Sequence, residues 1–207
     1  MSFHKIAKVA LASLAFTFLS TQAFAEPVIN KAAPAFSGTA ADGTTINLSD
    51  YKGKTVVLEW TNHECPYVVK HYDKSSNIPK LQKDATAKGV VWLQVISSAP
   101  GKQGNVDGTT AIKLNEKRGA TPTNTILDAD GTIGKLYNAQ TSPHIFIVNP
   151  EGTLVYKGGI DSIKTANEAD IPKAKPYVKE ALEALAAGKA VPNPSTAPYG
   201  CSIKYAG

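Results

Sequence analysis

The chain has 207 residues, of which 43% are hydrophobic, 8% aromatic and 19% charged. This balance is typical of one ordinary globular domain and excludes a disordered, collagenous or coiled-coil chain. The formal net charge is +5, and the 22 basic residues include a single arginine, Arg118, so a surface that binds nucleic acid is not expected.

Residues 1–25 have the pattern of a secretory signal peptide. Lysines precede an apolar run from Val9 to Leu19, and Ala23-Phe24-Ala25 places small residues where a signal peptidase cuts. The apolar run is shorter than the roughly 20 residues that a membrane anchor needs. We therefore expect cleavage before Glu26, no membrane insertion of the mature chain, and a location in the periplasm.

The segments that follow predict an α/β fold. Nearly continuous apolar runs are typical of strands buried on both faces of a sheet. In chain order, the predicted elements are a hairpin turn at Asp42-Gly43, a strand from Thr55 to Trp60, a helix from Tyr67 to Tyr72, a helix from Ile78 to Ala87 capped by Asn77, a strand from Val90 to Ile96, a helix from Thr109 to Lys117, a strand from Thr125 to Leu127, a helical segment from Ile133 to Tyr137, strands from His144 to Val148 and from Thr153 to Tyr156, and a helix from Ile171 to Ala187. This order predicts a mixed sheet with helices on both faces.

The two cysteines of the chain, Cys65 and Cys201, lie in different parts of this plan. Cys65 belongs to a single domain that we expect from residue 26 to 191. Cys201 belongs to a proline-rich and extended C-terminal tail, residues 192–207. After export, both thiols would be in a compartment where disulfides persist.

Cys65 stands between the predicted strand that ends at Trp60 and a helix that begins with Pro66. A sulfur at a helix N-terminus lies among unpaired backbone N–H groups, which stabilise a thiolate. The polar residues Asn62 and His63 just before it favour an exposed loop end, and both are candidate substrate contacts. The pattern indicates a reactive thiol, with a buried and inert cysteine as the alternative.

Several segments resemble the thioredoxin-like redoxins, in particular their peroxiredoxin-like branch of the alkyl hydroperoxide reductase/thiol-specific antioxidant type. These segments are Val56 to Trp60, Asn62 to Val68, the Ser142-Pro143 step, the turn Asn149 to Gly152, and Gly200 to Lys204. The resemblance implies a thioredoxin-like fold, with a mixed central sheet flanked by helices. It further implies that Cys65 is the nucleophile and that Pro143 is a cis proline facing it. In relatives, the residue before that proline, here Ser142, pairs with an extended substrate.

Some positions depart from the relatives. Val68 stands where thioredoxins carry a second cysteine, which excludes a local dithiol. Asn62 and Leu58 stand where peroxiredoxins carry a Thr or Ser and a proline that orient the peroxide. Peroxiredoxins also use an arginine beside the sulfur, and we expect Arg118 to lie at a solvated helix end instead.

These observations predict a periplasmic thiol-dependent oxidoreductase. Cys65 would attack a peroxide or a protein disulfide, and Cys201 would resolve the product as a disulfide. An external thiol reductant, either thioredoxin-like or a disulfide reductase, would reset the pair. This chemistry needs no organic or metal cofactor.

Two alternatives stay open. A permanent Cys65–Cys201 disulfide without turnover would make the chain a binding or chaperone-like module. The histidines His63, His71 and His144 could join Cys65 as soft metal ligands in copper delivery. Against that alternative, we expect His71 to be solvated on its helix and His144 to flank the active-site loop.

Overall fold

The computed structural model describes residues 26–207, so the predicted signal peptide lies outside the described residues. The strands are β1 (Ser37–Thr39), β2 (Thr45–Asn47), β3 (Val56–Trp60), β4 (Val91–Ile96), β5 (Asn124–Leu127), β6 (Thr141–Ser142), β7 (His144–Val148), β8 (Leu154–Gly158) and β9 (Cys201–Ser202). The helices are α1 (Pro66–His71), α2 (Asn77–Thr86), α3 (Gly108–Lys117), α4 (Thr132–Leu136) and α5 (Tyr177–Ala186). Among residues 26–207, no helix has both the length and the apolar content that crossing a bilayer requires.

A five-stranded mixed sheet forms the centre of the molecule, in the order β5-β4-β3-β7-β8. The strands β3, β4 and β5 run parallel, and β7 and β8 pair antiparallel next to β3. The hairpin β1-β2 and helix α4 cover one face of the sheet, and α1, α2 and α5 cover the other. The predicted mixed sheet flanked by helices is confirmed.

The central strand β3 explains why both faces must be covered. All five of its residues are buried, and their side chains alternate between the two faces. Leu58 and Trp60 pack in the core under α4, whereas Val57 packs in the core under α1 and α2. A strand that is buried on both faces belongs in the middle of a sheet with helices on each side.

Two details of the predicted helices are wrong. The helix expected from Ile171 to Ala187 is a 3₁₀ turn, Glu168–Lys173, followed by the separate helix α5. Pro172 and Pro176 explain this break, because a proline cannot donate the hydrogen bond that continues a helix. Asn77 does not cap α2, since Ser76 is the N-cap residue and the Asn77 amide instead contacts His71.

The predicted tail, residues 192–207, runs along the domain. The Lys157 N–H on β8 donates to the Pro194 carbonyl oxygen, and the Thr196 N–H donates back to Lys157. The chain then crosses to β6, where β9 adds a short antiparallel strand. This path carries Cys201 from the edge of the sheet to the end of β3.

A carboxylic acid lies inside the core on the α1 and α2 face, where the sequence pattern predicted only an apolar strand. Glu59 is 0% exposed and accepts hydrogen bonds from the Tyr72 hydroxyl at 2.7 Å, the Trp92 indole at 2.7 Å and the Gln82 amide at 3.2 Å. Burial raises the pKa of Glu59 to about 7, although these three donors act in the opposite direction. Folding therefore favours the protonated acid.

We expect Glu59 to make the free energy of unfolding depend on pH. Its contribution is fully present below about pH 4.5 and is lost as the pH rises through about 7, because the folded state holds the proton more tightly. A rise from 4.5 to about 7 corresponds to about 3 kcal/mol. Relative to Glu59→Gln, the wild type should lose about that much stability across this window, as measured by denaturant unfolding.

The comparison with Glu59→Gln also cancels the titration of the buried histidines, which are common to both proteins. The substitution Glu151→Gln, at an exposed position, is the matched control. If the free energies of unfolding of the wild type and of Glu59→Gln differ by the same amount at every pH in this window, Glu59 does not bind a proton on folding.

Candidate active site

Cys65 lies just beyond the carboxyl end of β3. Its N–H donates to the Asn62 carbonyl oxygen at 3.0 Å, which closes a tight turn, and Pro66 follows as the first residue of α1. The expected exposed loop end is wrong, because Cys65 is 0% exposed. The cover comes from Ser142 and from the C-terminal tail.

The Cys65 sulfur has contacts other than those expected from its helix. The Cys65 side chain makes no capping hydrogen bond to α1. The Cys65 sulfur lies 3.1 Å from the Ser142 carbonyl oxygen and 2.6 Å from the Cys201 sulfur. The N–H that reaches the Cys65 sulfur belongs to Cys201, at 3.4 Å. The tail, rather than the helix N-terminus, therefore surrounds this sulfur.

The two cysteines are free thiols in this structure. A disulfide needs its two sulfurs about 2.05 Å apart, so a small shift would bring this pair to bonding distance. Burial raises the pKa of Cys201 to about 11, and the contact with Cys65 acts in the same direction. At neutral pH, Cys201 therefore holds its proton while it lies against Cys65.

The Ser142-Pro143 peptide bond is cis, as the resemblance implies, and both residues are buried. The backbone of Ser142 pairs in antiparallel register with Cys201. In relatives, this is the residue that pairs with an extended substrate. Here the C-terminal tail of the same chain occupies the backbone edge of β6 at Ser142.

Gly200 allows the tail to come this close. It has φ +141°, a backbone conformation that other residues rarely adopt. A Cβ atom at this position would overlap the Ser142 carbonyl group. Only glycine permits the backbone contact that delivers Cys201 to Cys65.

Tyr199 anchors the tail in a buried polar cluster beside the site. Its ring packs edge-on against Tyr67 with centroids 5.9 Å apart, and its hydroxyl donates to Asp161 Oδ1 at 2.5 Å. His71 Nε2 lies 3.1 Å from the same hydroxyl, while Asn77 contacts His71 Nδ1. Because the tyrosine proton is directed to Asp161, His71 is the donor in this contact.

The predicted solvation of His71 is wrong, since the ring is 0% exposed. Burial and, to a smaller extent, the nearby Lys70 lower the pKa of His71 to about 3, so the ring is neutral at physiological pH. Asp161 Oδ2 has no hydrogen-bond partner among the described residues, although Lys70 Nζ lies 3.9 Å away and His71 Nε2 3.8 Å away. The sequence pattern gives no signal that Asp161 and Tyr199 belong to such a cluster.

The residues that precede Cys65 mainly shape the loop. Asn62 is 2% exposed, and its side chain accepts from the Glu64 N–H and donates to the Gln103 carbonyl oxygen. His63 is partly exposed, and this partial burial lowers its pKa. The Asn62 side chain is therefore already engaged, whereas that of His63 remains accessible.

Arg118 differs from its predicted solvated position, because its side chain is only 9% exposed. Its guanidinium donates to the His63 carbonyl oxygen at 2.8 Å, pairs with Asp73 at 3.1 Å and lies over the Tyr72 ring. Arg118 thus supports the active-site loop through the His63 carbonyl group. This contact, the ion pair with Asp73 and the Tyr72 ring account for the burial of the Arg118 side chain.

His144, next to Pro143, is also buried, and burial lowers its pKa to about 3. Its Nδ1 accepts from the Gln140 N–H at 3.2 Å.

Within residues 26–207, no group of three or more His, Cys, Asp or Glu side chains has a geometry that could hold a metal ion. A groove of about 930 Å³ lies between α2 and α5, but neither cysteine lines it.

Comparison with known proteins gives a family match and several similar structures. The sequence profile of the AhpC/TSA family matches residues 29–157. A conserved uncharacterised protein of Geobacillus kaustophilus is 27% identical with TM-score 0.75, over 93% of this chain and 98% of that one. A hypothetical protein of Sinorhizobium meliloti is 21% identical with TM-score 0.72, over 88% and 97%.

A thiol:disulfide interchange protein of a Bacteroides species is 24% identical with TM-score 0.50, over 63% of this chain and 81% of that one. Comparison with curated proteins gives no significant match. Together with the sheet order, these likenesses confirm the expected thioredoxin-like fold.

Replacing Gly200 should release the tail and uncover Cys65. In Gly200→Val, the new side chain would overlap the Ser142 carbonyl group, and such overpacking costs about 1–3 kcal/mol. The population of the state in which the tail is undocked should then rise by about 5- to 150-fold. We expect alkylation of Cys65 by iodoacetamide in the reduced protein, followed by peptide mass spectrometry, to accelerate by a similar factor.

Gly207→Val provides the control, because a Cβ at Gly207 would meet no atom within 4 Å. Its Cys65 should react at the wild-type rate. Equal rates in all three proteins would mean that the tail does not protect Cys65.

Proposed function

The chain belongs to the AhpC/TSA family, and from this we propose that it is a thiol–disulfide oxidoreductase whose working pair is Cys65 and Cys201. The observation that carries the proposal is the distance of 2.6 Å between their sulfurs, across 136 residues of sequence. Two thiols held in contact by a folded backbone can form and break a disulfide with little movement.

The reaction is a two-electron exchange with an external disulfide or thiol. In the oxidising direction, the two protein thiols give two electrons and two protons to an external disulfide, which becomes two thiols, and a Cys65–Cys201 bond forms. In the reverse direction, two external thiols are oxidised and the pair is reset. The chain supplies both sulfurs, so no organic cofactor takes part in either direction.

The surroundings of Cys65 support disulfide exchange ahead of peroxide reduction. A peroxide-reducing site would place an arginine beside the sulfur, but Arg118 is engaged by Asp73 and by the His63 carbonyl oxygen. The Cys65 sulfur instead faces a second thiol. We therefore rank peroxide as the less supported oxidant of this pair.

Copper delivery is not supported by the positions of the histidines. Both ring nitrogens of His71 are engaged, by Tyr199 and Asn77, and His144 Nδ1 accepts from the Gln140 backbone. His71 and His144 thus have structural roles that metal binding at those nitrogens would disrupt, whereas the His63 side chain is accessible. A copper site that used His71 or His144 Nδ1 would require these contacts to break.

We further propose that the chain works in the periplasm. The basis is the leader pattern in residues 1–25, which lies outside the described residues. An exchange pair needs a compartment in which its disulfide is stable but can be reset by a thiol reductant. A thiol reductant would fill that role, with an external disulfide as the opposite partner.

The reduction potential of the pair separates a redox couple from a permanent disulfide. We expect the protein, equilibrated in glutathione redox buffers and then alkylated, to gain or lose two thiols together at a potential between about −300 and −120 mV. A potential below about −300 mV would identify a permanent structural disulfide and contradict the proposal. The variants Cys65→Ser and Cys201→Ser, each with one thiol, should lack the two-electron transition.

A further inference from the structure

The last strand of the chain covers the backbone edge that an extended polypeptide would need. β9 pairs antiparallel with β6, with Cys201 opposite Ser142. The Ile203 N–H extends this pairing by donating to the Gln140 carbonyl oxygen at 3.0 Å. A polypeptide that binds by strand addition uses the same backbone groups for its own hydrogen bonds. The tail therefore competes with any extended polypeptide for this edge.

The tail is fixed on both sides of Cys201. On one side, Tyr199 is 5% exposed and its hydroxyl is bound to Asp161. On the other side, the Ala99 N–H donates to the Lys204 carbonyl oxygen at 2.8 Å. These two anchors hold Cys201 over Cys65.

The two sulfurs differ in their access to solvent. Cys65 is 0% exposed, whereas Cys201 is partly exposed. A thiolate attacks the disulfide sulfur that it can reach. Access therefore favours attack at Cys201.

Building on the proposed function, we infer that the oxidised pair exchanges with a low-molecular-weight thiol, which attacks the Cys201 sulfur while the tail keeps extended polypeptides off β6. Both parts of this inference follow from the docked position of β9. The reacting thiol needs only to reach one partly exposed sulfur, whereas a strand-like substrate would first have to displace the tail.

The exchange balances in two steps. The thiolate RS⁻ forms a bond to Cys201 Sγ, the bond between the two protein sulfurs breaks, and its electron pair leaves on Cys65 Sγ. A second RS⁻ attacks the sulfur of the bound RS group, which releases RSSR and leaves the electron pair on Cys201 Sγ. The two protons lost by the two RSH molecules return to Cys65 and Cys201.

Reduced glutathione is the probe for the point of attack. The oxidised protein is treated with it briefly, quenched in acid and digested, and mass spectrometry locates the cysteine that carries glutathione. We expect the adduct on Cys201. An adduct on Cys65 overturns this inference and leaves the proposed redox pair intact. If oxidation yields no Cys65–Cys201 disulfide in the first place, the proposed function fails and this inference fails with it.

A hexapeptide with one central cysteine tests the exclusion of polypeptides. The reduction rates of the peptide and of glutathione are each corrected for the fraction of thiol that is ionised. The peptide should then reduce the wild-type disulfide no faster than glutathione does. If the peptide reacts about tenfold faster than glutathione, its contacts with the protein favour the reaction by about 1.4 kcal/mol. That result would overturn the inference.

In Gly200→Val, where β6 is uncovered, the rate of the peptide relative to glutathione should rise by about tenfold. Gly207→Val should keep the wild-type ratio. An unchanged ratio in Gly200→Val would show that the tail does not exclude polypeptides and would overturn the inference.

Discussion

The pairing of the tail with β6 is the contact on which the site depends. It places Cys201 opposite Ser142 and thereby against Cys65. Gly200 permits the close approach, and the buried Tyr199 fixes the tail just before it. Without this pairing, Cys65 would be an uncovered residue just before a short helix, with its resolving partner elsewhere. The burial of one thiol, the raised pKa of the other and the access of substrates all follow from one short strand.

Two titratable side chains in the core behind the site are favoured in their neutral forms. Burial raises the pKa of Glu59 to about 7 and lowers the pKa of His71 to about 3, so each side chain tends toward its neutral form on folding. Both lie on the face of the sheet that also holds Cys65 and Tyr199. Hydrogen-bonded neutral groups can be buried at lower cost than ions, and they fix the positions of their neighbours.

The sequence predicted the parts of the fold that depend on local pattern. The apolar runs gave β3 and β4, and the step from Cys65 to Pro66 gave the start of α1. The errors at the site concern side chains whose burial depends on distant partners. Arg118 is buried because the loop at His63 lies 55 residues away in the chain but adjacent in space. Periodicity carries no signal for such contacts.

The separation of 136 residues between the paired cysteines also has a consequence for biogenesis. The sheet strands β3 to β8 all precede the segment that carries Cys201 in the chain, so they are synthesised first. Until that segment docks, the nascent chain presents an unprotected thiol beside an open backbone edge, a combination that invites wrong disulfides and strand pairing between molecules. The maturation of this protein therefore includes a vulnerable interval that ends only when its last strand is in place.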